Sequence, residues 1–327
     1  MHTTVSDGRA TPEEVKHAYM EQGYSIVAFT DHEVMVAHED LTDENFVAIT
    51  SVEYSVGNPD KLPWAYGGTQ VYHINLFAKD PKNVISSMFT ERAVVFKNSL
   101  PYVTEEMKRY DDNRSYSVEY MNDAIKRASE EGFLVSYNHP VWSLQNYQDY
   151  AGLEGLWGVE VHNTGCVITG YPDTVQPLDD LLKQGKQVFP LATDDAHSPA
   201  DYFGGWVMLK MKTLDYPSVI EAMEKGELYA STGPEIKELY IEDGVLKVAC
   251  SKAVDVMLTT QRRFARCVKA QQGEYLEYAE FDIKDHLERS QKVVEVIGEN
   301  PYIRITVKDA QGNCAYTRAY FFKELVE

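Results

Sequence analysis

Positive charge is what this sequence most lacks. Its 327 residues hold 31 Lys and Arg against 51 Asp and Glu, a formal charge of −20. Such a chain repels phosphate backbones, which excludes a protein that coats nucleic acid. Cysteine is also scarce. Cys166, Cys250, Cys267 and Cys314 form no Cys-x-x-Cys pair and are too few for a disulfide scaffold, so a reducing cytoplasm is the expected location. No apolar run approaches the roughly 18 residues of a bilayer span, so no membrane association is expected. The first ten residues are polar and lack the apolar core of a signal peptide. A Gly-x-Ser-x-Gly elbow is absent, which removes one common route to a nucleophilic serine.

What is present reads as a folded protein. Hydrophobic residues make up 44% and charged residues 25%, which excludes a disordered chain. The length exceeds one ordinary domain and points to two. Residues 234–327 hold 14 Lys and Arg against 16 Asp and Glu, a net of −2, which leaves −18 for residues 1–233. Eight of the nine histidines also lie before residue 234. Carboxylates and imidazoles concentrated together are what a site for several metal ions requires.

The first region alternates helix and strand signals. Thr11-Pro12-Glu13-Glu14 sets a hydroxyl cap, a proline at the first helical position and a glutamate three after the cap, which predicts a helix start. Short apolar runs at 25–29, 46–52, 72–78, 133–137, 158–161, 188–192 and 206–211 predict strands. Helical patterns fall at 117–131, 178–183 and 216–225. Repeated strand–helix units predict parallel strands in a barrel or a doubly wound sheet. Residues 80–115 break the rhythm and are expected to be an insertion or lid. After Gly233 come seven short strands, beginning near 237, 245, 254, 265, 279, 302 and 315, with Gly-containing turns between several of them. That spacing predicts a small β-sandwich.

The ends of the strands in the first region carry the chemistry. Residues 25–29 run into Thr30-Asp31-His32, 46–52 end at Glu53, and 72–78 carry His73 near their start. Residues 133–137 lead into Asn138-His139-Pro140, 158–161 carry Glu160 and lead into His162-Asn163, and 188–192 lead into Thr193-Asp194-Asp195-Ala196-His197. In a parallel barrel, residues just past the strand ends converge on one mouth. Imidazole with carboxylate suits zinc, manganese or iron. One histidine at a strand end is usually structural; five or six in succession are hard to obtain by accident.

These motifs resemble the PHP family, the polymerase and histidinol phosphatase superfamily of metal-dependent phosphoesterases, over about 230 residues. Met1-His2-Thr3-Thr4-Val5-Ser6-Asp7-Gly8 looks like the second half of the family's opening His-x-His-Thr motif, and Thr30-Asp31-His32 looks like its second motif. Ser51-Val52-Glu53 looks like the source of its bridging glutamate. His73, Asn138-His139-Pro140 and Asp195-Ala196-His197 look like the remaining ligand motifs. The segment Tyr229 to Pro234 resembles the exit into a small C-terminal β-domain. The departure is at the start: the first histidine of His-x-His and the strand before it would precede Met1, and the expectation is a start assigned too late.

The resemblance implies an α/β fold: a distorted TIM-like (β/α)7 barrel of the PHP type over residues 1–233, its first strand missing or truncated, then a small all-β immunoglobulin-like sandwich over 234–327. It implies two to three divalent ions, Zn, Mn or Fe. His2, Glu53 and Asp195 would hold one, Asp7, His32 and His197 a second, and Glu53, His73 and His139 a third. The implied activity is hydrolysis of small phosphomonoesters or phosphodiesters through a metal-bridging hydroxide. Asp195 and His197 would take part in catalysis, and His162 would protonate the leaving oxygen. Asp31 would orient His32 or a neighbour, or cap the turn after it. Arg9, Asn138 and Tyr54 are the candidate substrate contacts, with Tyr72 and Trp142 as further aromatic candidates. The expected partner is a small anionic phosphorylated substrate, and a homo-oligomer is compatible with the sequence. Two other readings keep the same ligands: an amidohydrolase or esterase, and a degenerate PHP domain that binds metal without catalysis.

Overall fold

A computed structural model of the protein describes residues 1–58 and 68–326. The first sheet has six strands in chain order: β1 (Ile26–Phe29), β2 (Val47–Gly57), β3 (Val71–Ala78), β4 (Phe133–Tyr137), β5 (Gly158–Asn163) and β6 (Phe189–Thr193). The pairs β1/β2, β4/β5 and β5/β6 are parallel, whereas β3 is antiparallel to both neighbours. The all-parallel expectation is corrected there. The β2/β3 ladder continues past the strand ends, where Asn58 N–H donates to the Gln70 carbonyl at 2.9 Å, and the arms of a hairpin run antiparallel.

The flanking helices start where the sequence places them. Pro12–Glu21 begins with a full capping box between Thr11 and Glu14, and Val118–Glu130 begins with the Ser117 hydroxyl on the Tyr120 amide. The second helix sets Met121, Ala124, Ile125 and Ala128 into a core shared with Ile74, Leu76, Val135 and Val159. The sheet edges converge at their C-terminal ends. Thr30 N–H, just past β1, donates to the Met1 carbonyl at 2.8 Å. His2 N–H donates to the carbonyl of Ala196, just past β6, at 3.0 Å. The sheet therefore curls, and its strand ends face one centre.

The expected seventh barrel strand lies elsewhere. β7 (Trp206–Leu209) and β8 (Leu228–Ser231) join a second sheet with β11 (Asp255–Thr260), β12 (Arg266–Lys269), β14 (Tyr302–Lys308), β15 (Cys314–Thr317) and β16 (Tyr320–Phe321). Ser231 pairs with Ala315, so this sheet is continuous across residue 233. A third sheet holds β9 (Ile236–Glu242), β10 (Val245–Ala253) and β13 (Leu276–Asp282). The two sheets pack through Leu246, Val248, Val256, Phe281, Ile305 and Val307. The expected C-terminal strands all form. The all-β expectation is corrected by a helix, Lys284–Ile297, between β13 and β14. It ends on Gly298 in the left-handed conformation and buries His286 and Ser290. Among the described residues, no helix is long and apolar enough to cross a membrane.

Residues 79–116 hold only short 3₁₀ turns. Phe89 and Met107 pack on Val34 beyond β1, and the buried Ser99 hydroxyl donates to the Val5 carbonyl at 2.9 Å. The segment is a roof over the strand ends.

Candidate metal centre

Eight side chains from the expected motifs meet under this roof. His2, Asp7, His32 and His197 form one group, Glu53, His73 and His139 a second, and His2, Glu53 and Asp195 a third. Within each group, one donor atom per residue lies within 4.8 Å of the others. His2 and Glu53 each belong to two groups, so the groups are contiguous. His2 Nε2 lies 2.9 Å from Asp195 Oδ1 and 3.2 Å from Glu53 Oε2. Glu53 Oε1 lies 3.1 Å from His73 Nδ1 and 3.4 Å from His139 Nε2. Asp7 Oδ2 lies 3.6 Å from His197 Nε2 and 3.8 Å from His32 Nε2.

Local structure explains how each side chain is held. The loop carrying Asp7 is pinned by Asp31, whose carboxylate accepts from Thr3 N (2.8 Å), Thr3 Oγ1 (2.8 Å), Ser6 N (3.1 Å) and Ser6 Oγ (2.7 Å). Asp31 is thus the organiser of the N-terminal loop: its carboxylate holds the neighbours of Asp7 and not His32. His139 and Asp195 both hold positive φ, +24° and +46°. Neither is glycine, and such backbone concentrates at sites where the surroundings over-determine it. Asp194 and Asp195 diverge. Asp194 turns to Tyr19 Oη (2.6 Å), Thr164 Oγ1 (2.9 Å) and the amides of Phe203, Gly204 and Gly205.

Three histidines are also held from behind. His73 Nε2 contacts Ser55 Oγ at 3.0 Å, and His139 Nδ1 contacts Ser143 Oγ at 3.2 Å. His197 Nδ1 lies 2.9 Å from the Asp195 carbonyl and donates to it. In each case the opposite nitrogen faces the cluster, the usual way a ligand imidazole is fixed in tautomer and orientation. Phe96 of the roof stacks on His32, with centroids 5.6 Å apart.

The electrostatics of the ion-free chain are in conflict. Burial alone would lower His2, but its hydrogen bonds to Asp195 and Glu53 outweigh this and push it up to about 10. Burial is likewise outweighed at His139 by Glu53 and Asp195, and its pKa rises to about 9. His32 goes the other way: burial and the neighbouring His2 bring it down to about 4. Burial opposes ionisation of Glu53 and Asp195, yet the surrounding imidazoles hold both below the usual carboxylate range. His2, His32 and His139 thus compete for protons around buried carboxylates. His2 Nδ1 is buried without a hydrogen-bond partner, 3.7 Å from Asp7 Oδ1. An orphaned ring nitrogen facing a carboxylate and two further imidazoles fits a divalent cation, and the His/Asp/Glu donors fit zinc, manganese or iron.

The other candidates fall in different places. Arg9 is exposed, and its backbone N–H donates to the His197 carbonyl at 2.9 Å. Asn138 is buried behind Glu53. Its Nδ2 donates to Glu53 Oε1 at 3.0 Å and its Oδ1 accepts from Ser136 Oγ at 2.8 Å, so it grips the carboxylate instead of an open surface. Tyr54 is corrected as a substrate contact. Next to Glu53 in an extended strand, it points to the opposite face and is 2% exposed. Tyr72 is likewise buried in the core. His162 is not drawn into the cluster. Nδ1 lies 2.7 Å from Asp173 Oδ2 and Nε2 lies 2.9 Å from Thr164 Oγ1. Its ring lines a narrow adjoining groove with Trp142, Glu160 and Tyr171.

Glu160, a strand-end carboxylate outside the three expected ligand sets, is buried and accepts from His139 N (2.9 Å), Asn163 Nδ2 (3.0 Å) and Thr193 Oγ1 (2.8 Å). Sequence reasoning passed over Ser55, although Ser55 lies two residues beyond Glu53 on the same strand face.

No family model matches the chain, and no curated protein matches it. Among solved structures, an amidohydrolase from Chromobacterium violaceum with bound sulfate and no metal aligns with 61% of this chain and 87% of its own. The identity is 15% and the TM-score 0.38. At that level the likeness carries no argument about fold or activity.

Proposed function

We propose that the protein is a metal-dependent hydrolase of small phosphate esters, with two to three divalent ions held by His2, Asp7, His32, Glu53, His73, His139, Asp195 and His197. The observation that carries the reading is the overlap of three donor groups through His2 and Glu53, with a buried His2 nitrogen left unpartnered. The phosphoester class follows from the resemblance of the ligand motifs. Divalent ions there would supply Lewis-acid activation of water and neutralise charge on phosphoryl oxygens. Glu53 belongs to two groups and is steadied by the Asn138 amide at 3.0 Å. Asp195 is aimed at His2 and braced by Asn163 Nδ2 at 3.1 Å. Phe96 and the roof limit water around His32. Arg9, exposed beside the Asp7 loop, is the cation proposed to meet the substrate phosphate.

The test is a turnover panel of phosphomonoesters, phosphodiesters, carboxylic esters and amides with protein loaded with manganese, zinc or iron. The reading expects hydrolysis confined to the phosphoesters and lost in Glu53→Ala and His197→Ala variants that keep their far-ultraviolet circular dichroism. Turnover of amides or carboxylic esters alone would transfer the site to the other hydrolase class.

A further inference from the structure

Behind the ligand His73 lies a buried ion pair that the hydrolytic reading does not use. Arg114, at the end of the roof, forks onto Glu33: Nη1 donates to Oε1 at 2.9 Å and Nη2 to Oε2 at 2.7 Å. Each nitrogen makes a second bond, Nη1 to the Ser55 carbonyl at 2.8 Å and Nη2 to the Met88 carbonyl at 2.9 Å. The guanidinium also lies over the Tyr54 ring, 5.0 Å from its centroid. Both charged side chains are under 10% exposed.

Glu33 completes a clamp. Its Oε1 accepts from Ser55 N at 3.1 Å, while Arg114 holds the Ser55 carbonyl. The pair therefore fixes both backbone polar groups of Ser55. The Ser55 hydroxyl in turn meets His73 Nε2 at 3.0 Å, and His73 Nδ1 faces Glu53 at 3.1 Å. Glu33 follows His32 directly, holds a φ of +67°, and gives its own N–H to the Glu53 carbonyl at 2.9 Å. The ion pair thus holds the backbone of Ser55, Arg114 ties the roof to it, and the Glu33 backbone is bonded to that of Glu53.

We propose that Glu33 and Arg114 are positioning residues that set His73 for ion binding through Ser55, so that the roof segment 79–116 is part of the metal centre. The inference rests on the reading that these side chains hold ions. Partners that orient a ligand imidazole change metal affinity by roughly 10–100-fold when removed. A buried pair with no such role would change stability alone.

The test is a double-mutant cycle on the metal-stripped full chain, read by calorimetric titration with manganese and zinc. Ser55→Ala and Arg114→Ala should each weaken ion binding by roughly tenfold or more, and the double variant should be no weaker than the worse single. Arg114→Lys should recover only part of the affinity, because one ammonium cannot fork Glu33 while reaching two carbonyls. If Arg114→Ala does not fold, Glu33→Gln takes its place in the cycle. It keeps the shape and one oxygen for Ser55 N–H but removes the charge. Wild-type affinity in the folded charge variants, or losses that multiply as independent effects, would overturn the proposal. A wild-type protein that binds no ion would overturn the metal reading with it. Normal ion affinity without phosphoesterase turnover would overturn only the substrate class and leave this inference standing.

Discussion

His2 shows how the site depends on its occupancy. Its ordinary pKa is near 6.5, and in the ion-free fold it reaches about 10 because Asp195 and Glu53 hold the proton. That contribution to stability is fully present below pH 6.5 and is lost as the pH rises towards 10; His139 behaves in the same way up to about 9. His32, brought down to about 4, has the opposite sign: its contribution is present above 6.5 and fades as the pH falls towards 4. An ion bound there would replace the protons on His2 and His139. Thermal melts should therefore show the metal-stripped protein losing stability between pH 6.5 and 10 while the ion-loaded protein stays nearly level. Parallel curves would contradict the assignment. Glu53 belongs to two donor groups, so Glu53→Gln should weaken binding at both, beyond the roughly 10–100-fold loss typical of outer partners.

At the scale of elements, the loop of residues 2–8 is held by the Asp31 carboxylate and by the close approach of its own ends. A Cβ on Gly8 would sit 2.3 Å from the His2 carbonyl oxygen, a backbone atom that cannot yield without moving the loop. Gly8→Ala should displace Asp7 and weaken ion binding by roughly tenfold, measured by titration, with the curled sheet intact by circular dichroism. Most strands were legible from apolar runs, and the candidate donors were legible because most of those runs lead into His, Asp or Glu, with His73 near the start of its own. Orientation was less so. The antiparallel course of β3 depends on a hairpin ladder that local periodicity does not encode. Tyr54 was misread because adjacency to Glu53 in sequence means opposite faces in a strand. Asp31 was expected to orient His32 or a neighbour, or to cap a turn, and Asn138 to meet substrate; only tertiary contacts show that they serve Thr3, Ser6 and Glu53. Arg114 lies 81 residues from Glu33, and nothing local marks that pairing.

For the whole molecule, the formal charge of −20 belongs mainly to the part of the chain that surrounds this centre. Two or three divalent ions would add about +4 to +6 at the place where carboxylates converge, so the loaded site does not repel a small anion. The fold supports this by curling one sheet until its strand ends meet, with the roof locked above them by Ser99 on Val5 and Arg114 on Glu33 and Ser55. The β7/β8 strands carry the second sheet across residue 233, so the sandwich is joined to the region holding the site through a shared ladder. The central claim is that three contiguous donor groups hold several ions. Plasma mass spectrometry of purified protein after equilibration with zinc, manganese and iron tests it directly. The account predicts two to three ions per chain, falling in Glu53→Gln; fewer than one ion per chain would contradict it.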